Sequence, residues 1–190
     1  MAAALPLVAW LAEWNAGWPV GDTLRKIQES AEEGTKAMLA AKSIGDLLVN
    51  LLIAAVLPAI AEEVFFRGAM QRVFAGITGS GVAAVIITSI IFSAIHLEAP
   101  GFVPRVALSM VLGFIYLFSG NLWLSIIAHF CNNALSVLLF YFNGNETESD
   151  ESYAWYITAL SALVVIALFA MMRRSNKNNV LSVSQHQNEE

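Results

Sequence analysis

The apolar runs that follow Asp46 constrain the fold of this chain more than any other feature. The candidate membrane spans are residues 47–73, 81–97, 103–119, 122–142 and 154–172. The segments between them are short and rich in Gly, Pro, Asn and Ser, which is typical of turns. Within the runs, apolar and polar residues do not alternate as they do in half-buried strands. Because the backbone in lipid must satisfy its own hydrogen bonds, the pattern predicts an all-α fold, a polytopic membrane helical bundle of five to six transmembrane helices.

The composition agrees with a membrane protein and argues against one class of partner. Hydrophobic residues make up 57% of the 190 residues and charged residues 13%, whereas soluble domains contain about 25% charged residues. The basic residues form no patch with interleaved aromatics, so we expect contact with membrane lipid and no nucleic-acid partner. Cys131 is the single cysteine, and it therefore cannot form a disulfide within the chain.

Three charged residues interrupt the first apolar run, in the stretch AEEVFFRGAM at 61–70. Each charge at mid-bilayer costs about 3 kcal/mol on insertion scales, so such residues usually have partners or a function. Glu63 and Arg67 are four residues apart, which predicts an ion pair on one helix face. Glu62 lies about 100° around the helix from Glu63 and cannot easily share that partner. We therefore expect Glu62 to face a cavity, near a kink at Pro58.

Two further polar clusters lie in later runs. His96 ends the motif FSAIH, and the motif HFCNN places His129 and Asn133 on one helix face, with Asn132 pointing elsewhere. Asn121 and Ser125, next to a turn, are given a structural role. By the hydropathy boundaries His129 lies about 12 Å from the cytoplasmic end of its span. His96 lies at the end of its span that is farthest from the cytoplasmic side. The two histidines can meet only if helices tilt, break or end at other residues.

The chemistry that such a set permits is activation of water. Glu62 could serve as a general base and His96 could orient the water, while His129 and Asn133 could donate hydrogen bonds to a developing oxyanion. The competing use is a zinc site with Glu62, His96 and His129 as ligands. The histidines are 33 residues apart and the HExxH motif is absent, so no cofactor is required, although divalent zinc is possible. An isolated histidine or asparagine in a membrane helix can also serve only as an interhelical hydrogen-bonding group.

The three motifs, taken in order, resemble a known family of membrane enzymes. They read EEVFFR at 62–67, FSAIH at 92–96 and HFCNN at 129–133. On separate helices they are similar to the CAAX-protease and bacteriocin-processing family (CPBP, ABI), a group of intramembrane endopeptidases that includes the eukaryotic Ras-converting CAAX endopeptidase. The resemblance covers about residues 46–142.

This resemblance implies a role for each motif residue. Glu62 and His96 would activate the water, and His129 and Asn133 would form the oxyanion site. The other two motif residues would brace the first helix of the core: Glu63 and Arg67. By this likeness the mechanism is metal-free and the substrate is a peptide or a lipidated protein.

The chain divides into four predicted parts. Residues 1–45 form an N-terminal partial helix and an amphipathic segment, which either gates substrate access or is a solvated connector. Residues 46–142 form the catalytic membrane core, 143–174 an extracytoplasmic loop and the last transmembrane helix, and 175–190 a cytoplasmic disordered tail. Basic residues follow the last span, so the C-terminus is expected in the cytoplasm of a multi-pass protein, in a bacterial plasma membrane.

Three functions are compatible with these observations. The leading one is a CAAX-type intramembrane endopeptidase that hydrolyses peptide bonds with activated water. The alternative is a non-catalytic membrane partner, a pseudo-protease that binds ligands or confers bacteriocin immunity. A small proton-coupled transporter is the third, although the sequence contains no inverted repeat.

Overall fold

The structure, a computed structural model, describes residues 4–143 and 154–187. In this part of the chain every regular element is helical, which confirms the all-α class. The seven helices are α1 (Leu5–Ala16), α2 (Asp22–Leu39), α3 (Ile44–Thr78), α4 (Gly81–Ala94), α5 (Phe102–Ser119), α6 (Leu122–Phe142) and α7 (Trp155–Gln187).

Three of these helices are long and apolar enough to cross a membrane: α3, α5 and α6. Large apolar side chains on their outer surfaces, such as Leu48, Ile77 and Trp123, are well exposed, as expected where lipid replaces water. The chain is therefore a multi-pass integral membrane protein. The predicted count of five to six spans is not confirmed, because α4 has only 14 residues and a span needs about 20. The apolar part of α7, Trp155–Met171, is also short.

Helix α3 begins at a reciprocal cap. The Ser43 hydroxyl accepts a hydrogen bond from the Asp46 amide at 3.2 Å, and the Asp46 carboxylate accepts one from the Ser43 amide at 3.0 Å. This capping box satisfies amide groups that the first helical turn leaves without carbonyl partners. It fixes the start of the helix where the first apolar run begins.

The middle of α3 contains two π-helical segments. They span Leu52–Val56 and Val64–Met70, and between them lies a short α-helical stretch, Leu57–Glu63. Pro58 has no amide hydrogen to donate, and the wider turn before it lets the chain pass through this residue without leaving the helix. The sequence predicts a kink at Pro58, and the structure has a π-helical segment shortly before it, a feature that often accompanies kinks and functional sites.

The turn after α4 differs from the sequence prediction. The helix ends at Ala94, not at residue 97, and His96 lies in the turn that follows. Leu97 adopts a left-handed conformation with φ of 54°, which ends the helix at some cost because its side chain crowds the backbone. The Ser93 hydroxyl donates a hydrogen bond to the Phe102 carbonyl at 2.7 Å, which holds the turn against the start of α5.

The two ends of the chain are only partly described. Helices α1 and α2 occupy the N-terminal part, and α1 packs against α5 through Asn15, whose side chain accepts a hydrogen bond from the Val103 amide at 2.8 Å. The predicted loop at 143–152 lies outside the described residues except for its first. Helix α7 continues to Gln187, past the point where the sequence predicts a disordered tail. The division into four parts remains a prediction.

Helices α3, α4 and α5 approach one another closely at Gly113. A Cβ atom at this position would lie 2.9 Å from Val85 Cγ1 and 3.1 Å from Gln71 Oε1. The side-chain amide of Gln71 donates to the Gly113 carbonyl at 3.2 Å. Membrane helices commonly use small residues in this way, because tight packing replaces the hydrophobic effect as the source of association.

We predict that Gly113→Ala destabilises the protein by about 1–3 kcal/mol, offset in part by the better helix propensity of alanine. Val85 is β-branched and cannot easily rotate away. The measurement is the thermal unfolding midpoint in detergent by circular dichroism. Gly76→Ala in α3 is the matched control, because its new Cβ would meet nothing within 4 Å. An unchanged midpoint for Gly113→Ala would show that α4 and α5 can move apart to accommodate the added methyl group without loss of stability.

Candidate active site

A cavity of about 470 Å³ opens between α3, α4, α5 and α6. It contains most of the polar groups that interrupt the apolar runs, and those groups come from three helices and from the turn after α4. The polar lining includes Glu62, His96, Ser109, His129, Asn132, Asn133 and Ser136. All four proposed catalytic residues are therefore brought to one cavity. Asn132 lines this cavity and also a second pocket beside Leu5 and Phe130, so the direction of its side chain stays a prediction.

The two histidines reach the same cavity although the hydropathy boundaries place them at different depths. His96 lies in the turn beyond the end of α4, which ends at Ala94 and not at residue 97.

Glu63 and Arg67 form a buried ion pair on α3. Arg67 Nη1 lies 2.8 Å from Glu63 Oε1, and both side chains are almost completely shielded from the surface. The other terminal nitrogen of Arg67 donates to the carbonyl and to the hydroxyl of Ser109 on α5, each at 2.8 Å. The guanidinium also lies 5.2 Å from the centre of the Phe92 ring. These contacts offset the cost of burying the two charges, while the Nε atom of Arg67 is buried and makes no hydrogen bond among the described residues.

The carboxylate of Glu63 is the point where α3 and α6 are joined. Its Oε1 atom accepts a hydrogen bond from His129 Nδ1 at 2.8 Å in addition to the Arg67 contact. Its Oε2 atom accepts a hydrogen bond from the Ser125 hydroxyl. Neither contact with α6 is predicted from the sequence. Ser125 and His129 are four residues apart on one helix face, and that spacing is the signal that could have revealed them.

The Glu63 contact decides which nitrogen of His129 faces the cavity. A carboxylate only accepts hydrogen bonds, so we assign the proton of the neutral ring to Nδ1. The other ring nitrogen, Nε2, lies 3.8 Å from Glu62 Oε2, which is beyond hydrogen-bonding distance. The Glu62 side chain keeps 30% of its surface exposed, whereas Glu63 has none. The two adjacent acids therefore occupy different environments, one open to the cavity and one buried.

His96 is oriented by its own helix. Its Nδ1 atom lies 2.7 Å from the Phe92 carbonyl oxygen, and because a carbonyl only accepts, we assign a proton to Nδ1 here too. This leaves Nε2 as an acceptor. The Phe92 ring lies 4.9 Å from the His96 ring and 6.3 Å from the His129 ring, measured between ring centroids. The FSAIH motif thus places the apolar Phe92 ring beside both imidazole rings.

The possible zinc ligands line one cavity but do not form a ligand group. Among the described residues, no three His, Cys, Asp or Glu side chains are arranged so that they could hold one metal ion. The Nδ1 atoms of both histidines face acceptors within the protein, so only the two Nε2 atoms and Glu62 could bind a shared ligand. Metal dependence is thus a question for experiment.

Comparison with known proteins gives a family for the part of the chain that builds this site. Residues 44–135 match the family model described as type II CAAX prenyl endopeptidase Rce1-like. The match spans α3 to most of α6 and includes all three motifs. This domain of the chain belongs to that family, as the motifs predict. No curated protein and no solved structure matches the chain.

We predict that Ser125→Ala lowers the stability of the protein by about 1–3 kcal/mol, because it removes a donor from a buried carboxylate oxygen. The measurement is again the thermal unfolding midpoint in detergent. Ser136→Ala on the same helix is the matched control, since the Ser136 hydroxyl is exposed and bonds only to a carbonyl of its own helix among the described residues. Equal midpoints for the two variants would contradict the role given to Ser125.

Proposed function

We propose that this protein is an intramembrane endopeptidase that hydrolyses peptide bonds by direct attack of a water molecule. The observation that carries the proposal is the difference between two adjacent acids. Glu63 is buried and bonded to three side chains, whereas Glu62 faces the cavity opposite Nε2 of His129. Membership of the CAAX prenyl endopeptidase family supports peptide-bond cleavage as the reaction.

In this mechanism Glu62 removes a proton from the water as its oxygen attacks the scissile carbonyl carbon. The Nε2 atom of His96 accepts the second hydrogen of the water and orients it. The tetrahedral intermediate then expels the amine as the carbon–nitrogen bond breaks, and the proton held by Glu62 is transferred to the leaving nitrogen. A positioned general base of this kind contributes about 10²–10⁴-fold to the rate.

The oxyanion is stabilised by His129 and Asn133. Because Nδ1 of His129 donates to Glu63, its Nε2 atom can donate to the oxyanion only when the ring carries both protons. In that step the Glu63 carboxylate, 2.8 Å from Nδ1, would be the counter-ion of the ring. The side-chain amide of Asn133 supplies a second, neutral donor. One such preorganised donor accounts for about 10²–10³-fold in kcat.

The substrate class follows from the family and from the surroundings of the site. The family name indicates prenylated peptide segments, and the site opens between apolar helices, so a lipidated protein or a membrane-associated peptide is the proposed substrate. In a bacterial cell this would be peptide maturation or bacteriocin immunity by cleavage. Basic residues follow the last span, so in this proposal the C-terminus lies on the cytoplasmic side of the plasma membrane.

We predict that Glu62→Gln lowers kcat by at least about 100-fold while the protein stays folded. The experiment incubates purified protein in detergent with a pool of prenylated and unprenylated peptides, with and without a metal chelator. Products are identified by mass spectrometry. Glu33→Gln, an exposed acid on α2, serves as the matched control and should cleave like the wild type.

Each outcome of that experiment distinguishes the metal-free mechanism from its alternatives. Cleavage that is lost in Glu62→Gln and unaffected by chelator supports the metal-free mechanism. Inhibition by chelator that zinc reverses would instead make Glu62, His96 and His129 metal ligands. Cleavage at the wild-type rate by Glu62→Gln would refute the proposed base. No cleavage of any peptide would favour a non-catalytic binding partner.

The position of His129 gives a further prediction. His129→Gln should lower kcat by about 100-fold, because it removes a ring donor from the oxyanion. The measurement is kcat for a peptide that the wild type cleaves, and an unchanged kcat in this variant would argue against His129 as an oxyanion donor.

A further inference from the structure

A second cleft lies directly beside the central cavity. It has a volume of about 310 Å³ and runs between α2 and the chain segment that follows α4. His96 lines both this cleft and the central cavity. We call this space the α2 cleft; its other lining residues are Ile27, Gln28, Ala31, Glu32, Thr35, Leu97, Glu98 and Pro100.

The walls of the α2 cleft combine apolar and polar side chains, and its two acids are compensated. Ile27 is 48% exposed and Leu97 62% exposed, so each presents apolar surface without being buried by the fold. The two acids are both paired: Glu32 with Lys36 at 2.7 Å, and Glu98 with Arg105. A cleft of this kind suits an uncharged, partly apolar ligand rather than a free ion.

One polar group in the α2 cleft has no partner. The side-chain nitrogen of Gln28 is buried and makes no hydrogen bond among the described residues. A buried amide donor without an acceptor is costly, and in a native protein it calls for an explanation. The backbone carbonyl of a bound peptide is an acceptor that would satisfy it.

We propose that the α2 cleft binds the stretch of substrate peptide on one side of the scissile bond, with the Gln28 amide donating to a backbone carbonyl of that stretch. The inference rests on the proposed function. His96 lies at the junction of the two spaces, so a peptide held at Glu62 and His129 continues past His96 into the cleft. Helix α2 then forms a wall of the substrate site. In this proposal it is not a solvated connector, and its role is not limited to gating substrate access.

The first test measures how cleavage depends on peptide length. Ala31→Trp fills the cleft, and Gln28→Leu removes the donor at similar size. Both variants should raise KM for peptides extended on one side of the cleaved bond, Gln28→Leu by about 3- to 10-fold, the effect of one neutral hydrogen bond. Peptides truncated on that side should be cleaved as by the wild type. Ala37→Trp and Glu29→Leu, exposed on α2 outside the cleft, are the controls.

A second test detects binding without catalysis. In a Glu62→Gln background, a benzophenone amino acid replaces Ala31 or Ala37, and the protein is irradiated with a biotinylated pool of prenylated and unprenylated twelve-residue peptides, about 40 Å when extended. The cleft proposal is supported if more peptide is crosslinked at position 31 than at position 37 and if Gln28→Leu lowers the yield at position 31. This result would count even if no peptide is cleaved.

The two proposals can fail separately. If the wild type cleaves peptides but Ala31→Trp and Ala37→Trp have the same length profile, the cleft proposal is overturned and the protease proposal stands. Equal crosslinking at positions 31 and 37, or none at position 31, also overturns the cleft. Loss of cleavage in Glu62→Gln bears on the protease mechanism alone.

Discussion

The arrangement of the site depends on one buried carboxylate, that of Glu63. Burial of an unpaired charge costs several kcal/mol, and this cost is offset only where donors surround the group. Here the donors are Arg67 on the same helix and Ser125 and His129 on α6, while Arg67 in turn bonds to Ser109 on α5. Glu63 and Arg67 together therefore link α3, α5 and α6 through charged and polar contacts.

Helix geometry explains how two neighbouring acids come to lie in different environments. Successive residues on a helix differ in direction by about 100°, so when Glu63 points to α6 and its donors, Glu62 is turned toward the cavity. The π-helical segments on either side, Leu52–Val56 and Val64–Met70, shift the direction of the residues before and after this pair. Arg67 lies within the second segment and still reaches Glu63. The fold thus keeps one acid neutralised and leaves the other available.

Local rules predicted the parts of this structure that arise within one helix. The i, i+4 spacing of Glu63 and Arg67 was enough to anticipate their ion pair, and hydropathy located α3, α5 and α6 to within a few residues. Contacts between helices were not accessible in this way. Ser109 and Ser125 are ordinary small polar residues in apolar runs, and only the packing of α5 and α6 against α3 brings them to Arg67 and Glu63.

The boundary of α4 is not predicted by the sequence, and the reason is physical. Hydropathy continues through Ile95 and Leu97, so composition cannot indicate that the helix ends at Ala94 and that Leu97 adopts a left-handed conformation. The width of the cavity is equally inaccessible to the sequence. The cavity includes both Asn132 and Asn133, because it follows one broad side of α6 rather than a single line of residues.

The two histidines are held in the same way although they belong to different elements. Each has its Nδ1 atom against an oxygen of the protein, the Phe92 carbonyl for His96 and the Glu63 carboxylate for His129. The two acceptors differ in charge, so the two rings are not equivalent. In the proposed mechanism His96, held by a neutral carbonyl, accepts a hydrogen bond from the water, whereas His129, held by a carboxylate, donates one to the oxyanion. The same residue type would then supply both an acceptor and a donor to one cavity.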